Sequence, residues 1–149
     1  MNRWWIACAF ALALALPTAA FPAGDPTPPA PKLTGSPYDR GRNEANMGNW
    51  GRAVDLFQQA VKADPKHYQA YNMLGYALRK TDKPKEALEA YNRALSLKPD
   101  YAPALEYRGE AHLMLKDRKA AMEDYQALVK LGSPLAQDLK QEIDKAPAN

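Results

Sequence analysis

From Pro37 onward the chain repeats itself every 34 residues. A segment of that length makes one supersecondary unit, too small to bury a core by itself, so successive units have to stack and share one. Five columns carry the period over three copies: Gly41, Gly75 and Gly109; Ala53, Ala87 and Ala121; Phe57, Tyr91 and Tyr125; Ala60, Ala94 and Leu128; Pro65, Pro99 and Ser133. Small residues at the glycine and alanine columns let two helices cross closely, and the rings of Tyr91 and Tyr125 are expected to fill the space between neighbouring hairpins.

Within each copy an apolar stripe at helical spacing, a polar turn and a second stripe follow one another. In the second copy the spacing predicts a helix over about His67 to Lys80, with Tyr71, Leu74, Ala77 and Leu78 on one face. A second helix is predicted over about Pro84 to Leu97, with Ala87, Leu88, Tyr91, Ala94 and Leu95 inward. Thr81 to Pro84 makes the turn, and Pro84 suits a first helical turn because its missing N–H would have had no intrahelical partner. Gly48-Asn49-Trp50 and Lys116-Asp117-Arg118 are the corresponding turns, with Asn49 and Asp117 as N-caps. The first copy carries Pro37, Arg40 and Glu44 at apolar places, so its first helix is expected to be short and frayed. After Ser133-Pro134, residues Leu135, Leu139 and Ile143 recur at spacings of four. They predict an amphipathic helix over 134–145 that covers the open end of the stack.

Residues 1–36 belong to a different regime. A basic start at Arg3, an apolar run from Trp4 to Leu16 and then Pro17-Thr18-Ala19-Ala20 have the layout of a secretory signal peptide, with cleavage expected after Ala20. The run of 13 residues would reach only about 20 Å as a helix, short of the roughly 30 Å hydrocarbon core, which disfavours a retained anchor. Cleavage would also remove Cys8, the only cysteine, so the mature chain would have to rely on packing alone in an oxidising compartment. Residues 21–36 contain five prolines and little that could fill a core, which predicts an extended tether.

Two helices per unit, the 34-residue period and these columns resemble the tetratricopeptide repeat. The second copy carries the resemblance best, with Tyr71, Leu74, Gly75, Leu78, Ala87, Tyr91, Ala94 and Pro99 at the family's signature positions. The resemblance implies an all-α superhelix of three helix-turn-helix hairpins, over about 34–67, 68–101 and 102–133, closed by the helix at 134–145. Arg108, standing where the second copy has Leu74, departs from the pattern, as do Leu128 and Ser133. Proteins similar to this one line a concave groove with their first helices and bind partner segments there. By repeat position the groove would take Tyr38 and Arg42, then Asn72, Tyr76, Arg79 and Lys80, then Glu106, Glu110 and Leu113. One subtype grips a C-terminal carboxylate with lysine, asparagine and arginine at set places. Here Tyr38, Arg42, Met73, Pro103 and Tyr107 occupy them.

With 20 basic and 17 acidic residues the charge is nearly balanced, which argues against a general nucleic-acid or membrane-surface role. His67 and His112 are the only histidines, and neither stands at ligand spacing from another. No phosphate loop, nucleophile motif or metal pattern is present, so no cofactor and no enzymatic activity are expected. The leading expectation is a small exported bacterial protein, a protein or peptide-binding adaptor or chaperone outside the cytoplasm, in the periplasm or secreted. The alternative is a structural or oligomerising subunit of a cell-envelope complex. A rim of loop cations, Lys80, Lys83, Lys85, Lys116, Arg118 and Lys119, is a second candidate surface.

Overall fold

The computed structural model describes residues 35–147. The expected signal peptide and all but the last two residues of the proline-rich tether lie outside them. The described residues form seven α-helices: α1 (Pro37–Asn46), α2 (Trp50–Ala63), α3 (Tyr68–Lys80), α4 (Pro84–Leu97), α5 (Ala102–Met114), α6 (Arg118–Lys130) and α7 (Leu135–Lys145). They pack as three antiparallel hairpins, α1 with α2, α3 with α4 and α5 with α6, and α7 lies across both α5 and α6. No strand occurs among the described residues.

Local signals explain most helix ends. Ser36 caps α1 by accepting a hydrogen bond from the Asp39 amide at 3.1 Å, and Pro37 stands at the first position. The helix is short, as expected, but its capped start shows no sign of the expected fraying. Asp117 caps α6 through the Ala120 amide at 3.0 Å. Asn49 does not cap α2: its amide donates to the Glu44 carboxylate at 2.7 Å and ties the turn back to α1. The three hairpin turns place Gly48, Asp82 and Lys116, one repeat apart, at φ of 78°, 58° and 61°. Only the first is glycine, so the turn geometry prevails over the residue preference in the other two.

The core follows the columns. Ala53, Phe57, Ala70, Ala77, Ala87, Tyr91, Ala94, Ala104, Ala111, Ala121 and Leu128 are all fully buried. A Cβ on Gly41 would stand 2.8 Å from the Phe57 ring, and one on Gly75 would stand 2.6 Å from the Tyr91 ring. No real side chain tolerates either distance, so the glycines are required for the close crossing. The third hairpin differs. A Cβ on Gly109 would meet Leu139 of α7 at 2.6 Å, and Tyr125 stays only partly buried. Tyr125, expected like Tyr91 to fill space between neighbouring hairpins, packs against the core only partly buried and leaves the hollow over Gly109 to Leu139. Among the described residues α7 follows the third hairpin and brings an aliphatic side chain into the space.

Leu139 and Ile143 are both fully buried, so α7 covers the end of the stack. Arg118, at the start of α6, fastens it by donating to the carbonyl oxygens of Ile143 and, at 3.1 Å, Ala146. A cation at the C-terminal end of a helix meets the orphan carbonyls and the negative end of the helix dipole.

Candidate functional site

First helices of successive hairpins touch one another, α1 with α3 and α3 with α5, whereas second helices do not. The stack therefore curves with α1, α3 and α5 on its inner side. On a helix, residues three and four apart share a face, which puts Asn72, Tyr76, Arg79 and Lys80 on one stripe of α3 and Glu106, Glu110 and Leu113 on one stripe of α5.

The centre of this inner face is an aromatic and cationic cluster. The Tyr76 ring lies 5.1 Å from the Tyr107 ring and 5.6 Å, edge-on, from the Trp50 ring. The Arg79 guanidinium stands over both tyrosines, 5.3 Å from Tyr76 and 5.6 Å from Tyr107. Arg79 also forms an ion pair with Glu110, and both side chains are mostly shielded from water. The Lys80 ammonium sits 5.5 Å from the Tyr76 ring and 6.0 Å from Trp50. A guanidinium stacked over two neighbouring rings and tied to a carboxylate has few rotamers left to lose, which favours a surface ordered before any partner arrives.

Of the expected groove residues, Tyr76, Arg79, Lys80 and Glu110 are brought together. Tyr38 and Arg42 form a separate group: the Tyr38 ring packs 4.6 Å from His67 and 6.0 Å from Phe57, and the Arg42 guanidinium stands 5.9 Å from it. Asn72 is corrected outright. At 3 % exposure it is part of the packed interior and offers no surface to a ligand. Leu113 lines a cleft of about 340 Å³ with Glu110, Glu142 and Lys145 where α5 meets α7. The sequence reading did not assign Trp50 and Tyr107 to this surface. Trp50 stands at a hairpin turn and Tyr107 at a place where one subtype carries a carboxylate-gripping residue, so neither position points to the groove, although a tryptophan and a tyrosine on polar stretches are themselves a signal.

Carboxylates dominate the far end. Glu106 is half-buried, and burial first, then the charges of Glu110 and Asp138, push its carboxyl up to about 7 despite the opposing influence of Arg79. Glu110 is raised as well, by burial, with Arg79 acting against it and Glu142 with it. The inner face thus runs from the cations of α1 and α3 to acids on α5 and α7. The rim of loop cations is less available than its sequence suggests, because Arg118 is spent on fastening α7. Among the described residues no group of three His, Cys, Asp or Glu side chains is placed to hold a metal ion. No described helix is long and apolar enough to cross a membrane.

The family profile described as Tetratricopeptide repeat matches residues 38–102 and again 79–136. The peroxisomal targeting signal receptor of Candida glabrata is 42% identical over 53 residues, which are 36% of this chain and 9% of the receptor. RNA polymerase II-associated protein 3 of Xenopus tropicalis is 30% identical over 93 residues, 62% of this chain and 14% of that protein. The chain thus spans only a small part of the length of either relative. Among solved structures, the second repeat domain of human RPAP3 in complex with the HSP70 peptide SGPTIEEVD aligns with a TM-score of 0.69 and 26% identity, covering 74% of this chain and 93% of that one. PcrH in complex with the chaperone binding region of PopD aligns with a TM-score of 0.65 and 21% identity, covering 72% and 83%, and shows likeness of fold.

Proposed function

Because this chain belongs to the tetratricopeptide repeat family, we propose that it is a non-catalytic adaptor that holds a partner peptide along the inner side of α1, α3 and α5. The observation that carries this reading is the cluster of Trp50, Tyr76 and Tyr107 with Arg79 stacked over both tyrosine rings. Aromatic side chains held rigid at the middle of a concave face present large contact area at little entropic cost, which is the chemistry of an interface anchor. The likeness to the human RPAP3 domain, itself in complex with a peptide, supports peptide binding as the activity. The residues that grip a C-terminal carboxylate in one subtype are replaced here by Tyr38, Arg42, Met73, Pro103 and Tyr107, so an internal segment fits this groove better than a chain terminus.

The layout of Met1 to Ala20 supports export and a periplasmic or secreted location, with release from the membrane after cleavage. The fungal and amphibian relatives lend no support to a bacterial origin. Against end-to-end stacking of copies through the α5–α6 end stands α7, which covers that end.

The test is affinity capture by the tagged chain, wild type against a Tyr76→Ala, Tyr107→Ala variant shown by circular dichroism to keep its helices. A partner recovered by the wild type and lost by the variant is expected. Equal recovery refutes the groove.

A further inference from the structure

Where second helices stand apart, clefts open on the outer side of the stack. One lies between α2 and α4 over α3, the other between α4 and α6 over α5, and the two are related by one repeat. Their contents differ. In the second cleft Arg108 donates through Nε to both carboxylate oxygens of Asp124, at 3.2 and 3.1 Å, and through Nη2 to Oδ1 at 2.5 Å. Its Nη1 donates to Asn92 Oδ1 at 2.7 Å. That network bridges α4, α5 and α6, so the protein's own side chains plug the space.

The residues one repeat earlier than Asn92, Arg108 and Asp124 are Gln58, Leu74 and Ala90. They cannot make the plug, and all three line an open cleft of about 460 Å³. Val54, Tyr71 and Leu78 complete its apolar floor. The size falls within the range of roughly 300 to 1,000 Å³ that small ligand sites occupy. Along the α4 edge the order is Lys83, Glu86, Glu89, Arg93. Lys83, also exposed, stands at one end before α4 begins, Arg93 at the other is engaged over the Tyr71 ring at 5.9 Å, and the exposed Glu86 and Glu89 occupy the middle. Among the described residues neither of these carboxylates forms an ion pair.

We propose that the outer cleft between α2 and α4 is a second binding site, which takes a leucine-sized apolar side chain of a partner peptide flanked by basic residues. The floor supplies the apolar contact, and Glu86 and Glu89 at its edge supply the complement to a neighbouring lysine or arginine. This site lies on the side opposite the inner groove and does not depend on what that groove binds.

The test is a titration of the isotope-labelled full chain with the peptide acetyl-Ala-Lys-Leu-Lys-Ala-amide, followed by amide chemical shifts. Saturable changes at Leu74, Leu78 and Ala90 are expected, and a peptide with serine in place of leucine should bind at least about tenfold more weakly. Reversing the edge with Glu86→Lys, Glu89→Lys, both at exposed positions, in a chain checked by circular dichroism to keep its helices, should weaken binding by about tenfold or more. Leu74→Arg, Ala90→Asp, which installs the plug of the neighbouring cleft, should abolish it. Absence of binding, shifts confined to the inner face, equal binding of the serine peptide, or indifference to the charge reversal each overturns the proposal.

Discussion

The second and third hairpins share a backbone plan but are filled by different chemistry. In the second, Leu74 and Ala90 leave an open, apolar-floored cleft, and the Tyr91 ring occupies the hollow over Gly75. In the third, Arg108 and Asp124 bond to each other, and Leu139 of α7 takes the hollow over Gly109. The same helix arrangement accepts an apolar floor or an ionic plug, provided that both partners change together. What the crossing does not accept is a vacancy or a collision at the glycine column.

The largest effect should come from unpairing the ionic filling. Asp124 is 2 % exposed and Arg108 keeps only a quarter of its side chain in water. Asp124→Ala strands the guanidinium and is expected to destabilise by about 4 kcal/mol in urea denaturation. Arg108→Leu with Asp124→Ala, which gives the third hairpin the composition of the second, should lie within about 1 kcal/mol of wild type. If the double variant is as damaged as the single one, the two hairpins are not interchangeable and the comparison fails.

A somewhat smaller loss is expected at the glycine column. Gly75→Leu must displace the fully buried Tyr91 ring and should cost about 3 kcal/mol by overpacking. An unchanged melting temperature would show that the ring can move aside and that the hollow is not the constraint described.

The smallest effect is a pH dependence near neutrality, carried by Glu106 of the third hairpin. Glu106 occupies the place that Asn72 has in the second. Its folded carboxyl titrates near 7 against an ordinary value of 4.5, so the folded chain binds that proton more tightly than the unfolded chain. The associated stability is fully present below about pH 4.5 and is lost as pH rises through 7. The gap between wild type and Glu106→Gln, followed by thermal melts from pH 4 to 8, should therefore shift in favour of the variant as pH rises. A gap constant with pH would mean that Glu106 is not held in this environment.

Much of the architecture was readable from residue order, and the second hairpin most of all. Its second helix runs over Pro84–Leu97 as predicted, and its first begins one residue after the expected start. The inner surface was read less well. Tyr76, Arg79 and Glu110 stand at the repeat positions that line the groove in similar proteins, but Trp50 comes from the start of a second helix and reaches the groove only through the packing of α2 on α3. Asn72 stands at another of those repeat positions and is buried, since a repeat position says which way a residue points and not what lies against it.

Sequence by itself determined the hairpins, their number, their turns and the closing helix. Each depends on short-range periodicity, and a pattern repeated three times stands out from chance. Only the tertiary structure decided which residues meet across 16 positions, as Arg108 does with both Asn92 and Asp124, and that Leu139 takes the hollow beside Gly109. Such contacts occur once each and leave no periodic trace. They depend on how far neighbouring helices stand apart, which is set by the sum of all the side chains packed between them.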